Sequence, residues 1–199
     1  GARMRSSVAL GLVCALAWLA SHQPRSAWAI TITVDFRYDS SDFFGSGNPD
    51  GATAGTQARN SLLAAASFLS STIDDNLDAI PFADPTTPGP QNTPVWRQIF
   101  THPSTGSSFI VSSAANDSQD GLSQLGQPTA DEFRDISVAA DNYVIYAGAL
   151  SLSGGTLGVG GPGGFSSFGS TSFNDNIEFR GKPTDGSEFS RWGGRISFD

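Results

Sequence analysis

The chain is poor in cysteine, histidine and positive charge, and each shortage removes a class of function. Cys14 is the only cysteine, so no disulfide can form within the chain and no thiolate cluster can bind a metal. The two histidines are His22 and His102. A hydrolase-type zinc centre needs about three imidazole or carboxylate ligands, commonly two histidines one helical turn apart, and this pair cannot supply them. Eleven Lys and Arg stand against nineteen Asp and Glu, for a formal net charge of −8. That balance argues against nucleic acid and anionic lipid as partners. No apolar run reaches the roughly twenty residues a bilayer span requires.

The longest apolar run, Val8 to Ala20, follows Arg5 and is broken by Pro24 and Arg25. Ala27-Trp28-Ala29 then offers small residues around a cleavage point before Ile30. Positive n-region, apolar h-region and small-x-small site are the three parts of a signal peptide. The sequence thus predicts a removable leader over residues 1–29, starting at Met4, and one exported domain over residues 30–199. Val13 before Cys14 is not the small residue that lipidation expects. Sixteen of the acids are Asp and three are Glu, a bias toward turns and helix caps, with calcium as the alternative role.

Ile30, Ile32, Val34 and Phe36 alternate with polar residues, the pattern of a half-buried strand. Tyr38 to Gly55 is rich in Asp, Ser, Gly and Asn and reads as a loop. Ala58, Leu62, Ala66, Leu69, Ile73, Leu77 and Ile80 recur at helical spacing, which predicts one long helix from about Ala54 to Ala79, stopped by Pro81. Five prolines between Pro81 and Pro94 make a connector. Val95 to Thr101 and Phe109 to Ser112 read as neighbouring strands, and Asp131 to Ala139 as a short helix. Asp141 to Gly148 is a nearly continuous apolar run, a strand buried on both faces. Gly154 to Gly169 reads as a glycine-rich loop beside a cleft, and Gly194 to Asp199 as a final strand. The expected class is α/β: a mixed, mostly parallel sheet under one long covering helix.

Several motifs fail on closer reading. Gly158-Val-Gly160-Gly-Pro-Gly163 matches G-x-G-x-x-G, but no helix start follows it, so no amides converge on a pyrophosphate. Gly164-Phe-Ser166-Ser-Phe168 lacks the last glycine of a nucleophile elbow. Asn116 to Gly121 opens like a calcium loop, yet Gln127 stands where the bidentate Glu belongs. A solvated turn is the default there. Glu132, Glu178 and Glu188 sit in polar segments and read as surface residues rather than a glycosidase pair.

Three segments carry a family resemblance: Tyr143-Val-Ile-Tyr-Ala-Gly148, Thr156-Leu-Gly-Val-Gly-Gly-Pro-Gly-Gly-Phe165, and Arg191-Trp-Gly-Gly-Arg-Ile-Ser-Phe-Asp199. Together with Ile32 to Tyr38 and the alanine-rich helix, the order resembles the N-terminal part of secreted bacterial zinc metalloproteases of the metzincin type, often associated with a PEP-CTERM sorting signal. The resemblance implies a metzincin-like upper subdomain, incomplete at the C-terminus. It also implies an antiparallel edge strand near Gly164 to Gly169, a last strand at Arg195 to Asp199, and a protein or peptide substrate. An unpaired edge suits an extended peptide held through its backbone, so Gly163, Gly164, Phe165 and Ser166 are the expected cleft rim. In that family the zinc-binding H-E-x-x-H helix follows the last strand. No position here matches it, so no catalytic or metal residue is assigned, and zinc is expected only in a longer chain.

Two other functions compete with an inactive leading fragment of an exported endopeptidase. One is a cell-surface binding protein on the same scaffold, without catalysis. The other is an exported domain of another class, such as a carbohydrate-binding one, for which a sugar-dependent shift in the fluorescence of Trp96 or Trp192 would speak.

Overall fold

A computed structural model describes residues 29–81, 96–112, 136–183 and 192–199. The elements in chain order are β1 (Thr31–Asp35), α1 (Ala52–Ser70), β2 (Trp96–Thr101), β3 (Ser108–Ser112), β4 (Asn142–Ala149), β5 (Gly158–Pro162), β6 (Gly164–Ser167), α2 (Thr171–Phe179) and β7 (Gly193–Phe198). The class is α/β with a mixed sheet and two helices. Among the described residues no helix is long and apolar enough to cross a membrane. Residues 1–28 of the predicted leader lie outside the described residues, as do most of the proline-rich connector and the Asn116 to Gln127 segment.

The strands form two sheets. One has the order β1-β4-β7-β5, the other β3-β2-β6. β1 and β7 both run parallel to β4, while β5 runs antiparallel to β7 at the border. The second sheet is antiparallel throughout, so "mostly parallel" holds for the first sheet only.

Register assigns the faces of the first sheet. Ile32, Val34, Tyr143, Ile145 and Ile196 share one face, toward α1. Val144, Tyr146 and Arg195 share the other. There the two sheets and α2 enclose the main core, with Trp96, Phe100, Phe109, Tyr146, Phe173, Ile177 and Trp192 all buried. Tyr146 is stacked on Phe100 at 4.8 Å, and its hydroxyl donates to Gln98 Oε1 at 2.9 Å. Burial pushes its pKa up to about 12, so it stays a neutral donor.

The long helix is shorter than its periodicity predicts. It ends at Ser70, and Leu77 and Ile80 are buried outside it. The reason is local. Ser70 Oγ donates to Ala66 O, Ser71 Oγ to Phe68 O and Thr72 Oγ1 to Phe68 O, at 2.6–2.8 Å. Side chains that bond the preceding turn compete with helix propagation, and Asp74, Asp75 and Asn76 follow at once. Ile80 then pairs with Val138 in an isolated antiparallel bridge, so the described end of the expected helix at Asp131 to Ala139 is extended instead.

α2 has no counterpart in the predicted elements. It is capped by Ser170, whose Oγ accepts from Phe173 N. Phe173 and Ile177, one turn apart, bury its inner face. The glycine-rich stretch also differs from the expected loop. It turns at Gly154 and Gly155, both with φ above +70°, then forms β5 and β6.

Candidate functional site

The two borders of the first sheet are treated differently. Along β1 the outward Ile32 N–H donates to Ser70 Oγ at 2.8 Å, so α1 caps that edge. β5 has no such cover among the described residues. Its bonds to β7 run through alternate residues: Asp199 N donates to Leu157 O and Gly163 N to Gly193 O. In that antiparallel phase Gly158, Gly160 and Pro162 sit in the non-bonded pairs with Phe198, Ile196 and Gly194. Their main-chain groups therefore face outward. Gly158 and Gly160 each present an N–H and a C=O about 6.7 Å apart along the strand, and Pro162 presents a C=O alone. Among the described residues no bulge interrupts this edge, and Pro162 leaves it one N–H short.

The edge borders two different surfaces. On the α1 side, the helix packs over β1, and no other described element lies over β4, β7 and β5. An apolar groove of about 410 Å³ results, lined by Leu62, Ala66 and Leu69 from the helix and Ile32, Ile145, Ile196 and Pro162 from the sheet. On the opposite face Arg195 reaches across β5. Its Nη1 donates to Val159 O at 3.3 Å and Ser197 Oγ at 3.4 Å. Its Nε lies 3.9 Å from where a Cβ on Gly161 would stand.

The four expected rim residues lie at the junction of the sheets. Gly163 is buried, because a methyl group there would overlap the Trp192 ring. Trp192 Nε1 donates to Gly164 O at 2.7 Å. Gly164, Phe165 and Ser166 are on β6, opposite Ile99, Gln98 and Arg97. Phe165 packs against the core, and Ser166 Oγ is buried without a hydrogen bond. The antiparallel edge strand expected at Gly164 to Gly169 is thus an edge of the second sheet. The corresponding edge of the first sheet is the stretch just before it, Gly158–Pro162. Glycine's weak strand propensity hid that strand. The clue was the alternating Arg195-Ile-Ser-Phe198, which needs a partner.

A second cavity, about 590 Å³, lies at the carboxyl ends of β4 and β7, where Ser41, Asn48, Asp50, Ser104, Ser151 and Asp199 meet. The Asp-rich loop beside it folds on its own side chains. Asp42 Oδ2 accepts from Ser46 N and Oγ, both at 2.7 Å, and these bonds hold the Asp42 carboxyl below its usual pKa.

His102 is buried at the end of β2, against Phe109 at 4.9 Å and Tyr38 at 5.4 Å. Its Nδ1 accepts from Ser104 N at 3.2 Å, and burial pushes its pKa down. Among the described residues no group of three or more His, Cys, Asp and Glu is placed to hold a metal ion. Trp96 and Trp192 are both fully buried, so neither offers a stacking platform to a sugar. No protein-family model matches the chain, and no match is found among the curated proteins or the solved structures.

Proposed function

We propose that residues 30–199 are the leading part of an exported zinc-dependent endopeptidase whose zinc-binding segment lies outside the described residues. The observation that carries this reading is the open β5 edge. It is antiparallel, it immediately precedes the final parallel strand β7 in the sheet, and its main-chain groups face outward. That order agrees with the metzincin resemblance. An extended peptide laid on β5 gains main-chain hydrogen bonds without any side-chain code. The apolar face left uncovered over β4, β7 and β5 adds support, since a further helix beside α1 would bury it. On this reading the cleft rim runs along β5, and Gly163, Gly164, Phe165 and Ser166 anchor its end to the second sheet.

The role of the chain is to present substrate, while zinc would supply the activated water in the complete enzyme. Export follows from the leader at residues 1–29. The direct test is the coding sequence read beyond Asp199. An in-frame H-E-x-x-H within about 50 residues, one short connector plus a helix start, supports the endopeptidase. A stop codon immediately after Asp199 would leave the same edge in a non-catalytic extracellular binding protein.

A further inference from the structure

We infer that Arg195 selects the peptide that β5 receives, favouring an extended segment with an acidic residue flanked by apolar ones. The inference rests on the edge-strand reading and adds side-chain chemistry to it. A strand added outside β5 alternates its side chains between the two faces. Residues opposite Gly160 and Pro162 project to the α1 side, where the nearest walls are Pro162 and Ile196. Apolar side chains fit there. The intervening residue projects to the opposite face, where Arg195 lies across Gly161.

Gly161 matters because it has no side chain. Any longer side chain there would occupy the ground that the Arg195 guanidinium crosses. The guanidinium lies over the seam of β5 and β7, with Nε beside Gly161 and Nη1 at Val159 O and Ser197 Oγ, one strand in from the position an added strand would take. Its two present acceptors, a carbonyl and a hydroxyl at 3.3 and 3.4 Å, are long contacts, and neither is a carboxylate. Arg37 and Lys182 are paired with Asp35 and Asp75, whereas the hydrogen-bond partners of Arg195 are a carbonyl and a hydroxyl. In a chain with nineteen acids, a cation left at the open edge fits an acid supplied by the incoming strand.

The test is fluorescence anisotropy on the full chain with three labelled seven-residue peptides. Each alternates leucine with a central aspartate, asparagine or lysine. The aspartate peptide should bind about two- to fivefold tighter than the asparagine peptide, the upper range for an exposed ion pair, and the margin should shrink with added salt. Arg195→Gln should equalise the two. Gly160→Pro removes one outward N–H while sparing the β5–β7 bonds, and should weaken all three. Equal affinity for aspartate and asparagine, or a preference that survives Arg195→Gln, overturns the Arg195 inference and leaves the edge standing. If no peptide binds, or binding ignores Gly160→Pro while circular dichroism is unchanged, the edge reading falls and the inference with it.

Discussion

Arg180 and Asp78 exchange two main-chain-directed hydrogen bonds: Asp78 N donates to Arg180 O at 2.9 Å, and Arg180 Nε donates to Asp78 O at 2.8 Å. The guanidinium is fully buried and also donates to Asn142 O at 2.7 Å and Ala139 O at 2.8 Å. One side chain at the end of α2 thus ties the segment after α1 to the entry of β4. Burial pulls its pKa down while Tyr143, Asp141 and Asp78 oppose that shift.

Replacing Arg180 by methionine keeps much of the volume and strands the three part-buried carbonyls that the guanidinium satisfies. A loss of about 2–4 kcal/mol is expected, read as a lowered urea midpoint. A stability unchanged within error would contradict the keystone role.

Gly163 and Trp192 make a second such pair. The indole is pinned by its bond to Gly164 O, so Gly163→Ala forces it or the β5–β6 junction to shift. About 1–3 kcal/mol of destabilisation is expected. The tryptophan emission of residues 30–199, which comes from buried Trp96 and Trp192, should move to longer wavelength in the same variant.

His102 gives the chain a pH dependence of defined sign. Its folded pKa is depressed by burial, while the unfolded imidazole takes up its proton near pH 6.5. Below that value the unfolded state binds more protons, so this contribution to stability is present above pH 6.5 and is lost as pH falls. His102→Asn, which offers an oxygen near the Nδ1 position, should remove this slope between pH 7 and 5. Urea melts across that range provide the check, and parallel slopes for both proteins would refute it.

Much of the scaffold was legible in the sequence. The alternation in β1 and β7 and the apolar run of β4 marked strands because branched and aromatic residues leave a clear period. Leu62 and Ala66 on α1 and Ile32, Val34, Ile145 and Ile196 on the sheet do line one groove. Val144, expected beside them, faces the other way, since a strand buried on both sides carries no period to say which face is which. The helix end was misread because Ile73, Leu77 and Ile80 keep the helical period. Serine and threonine back-bonding, a local effect, stopped the helix earlier. β5 was hidden because its glycines have neither hydrophobic period nor strand propensity. Arg195 was invisible as a candidate, because its reach over Gly161 exists only once β5 and β7 are paired.

Ala29 is exposed and Ile30 is buried, with Ile30 N donating to Ile73 O at 3.4 Å. Ala29 also pairs with Asp74 in an antiparallel bridge. Expression with export in a bacterial host should yield a mature N-terminus at Ile30 by Edman sequencing. A product retaining Met4 would contradict the export reading.

The central claim is that the outer edge of β5 receives an extended strand, and amide hydrogen exchange tests it at the atoms concerned. In the absence of peptide, Gly158 and Gly160 should exchange fast, while Val159 and Gly161, bonded to β7, should be protected. Saturation with the aspartate peptide should slow Gly158 and Gly160 selectively. Exchange at these two glycines that is already slow without peptide, or unchanged when peptide is bound, would contradict the account.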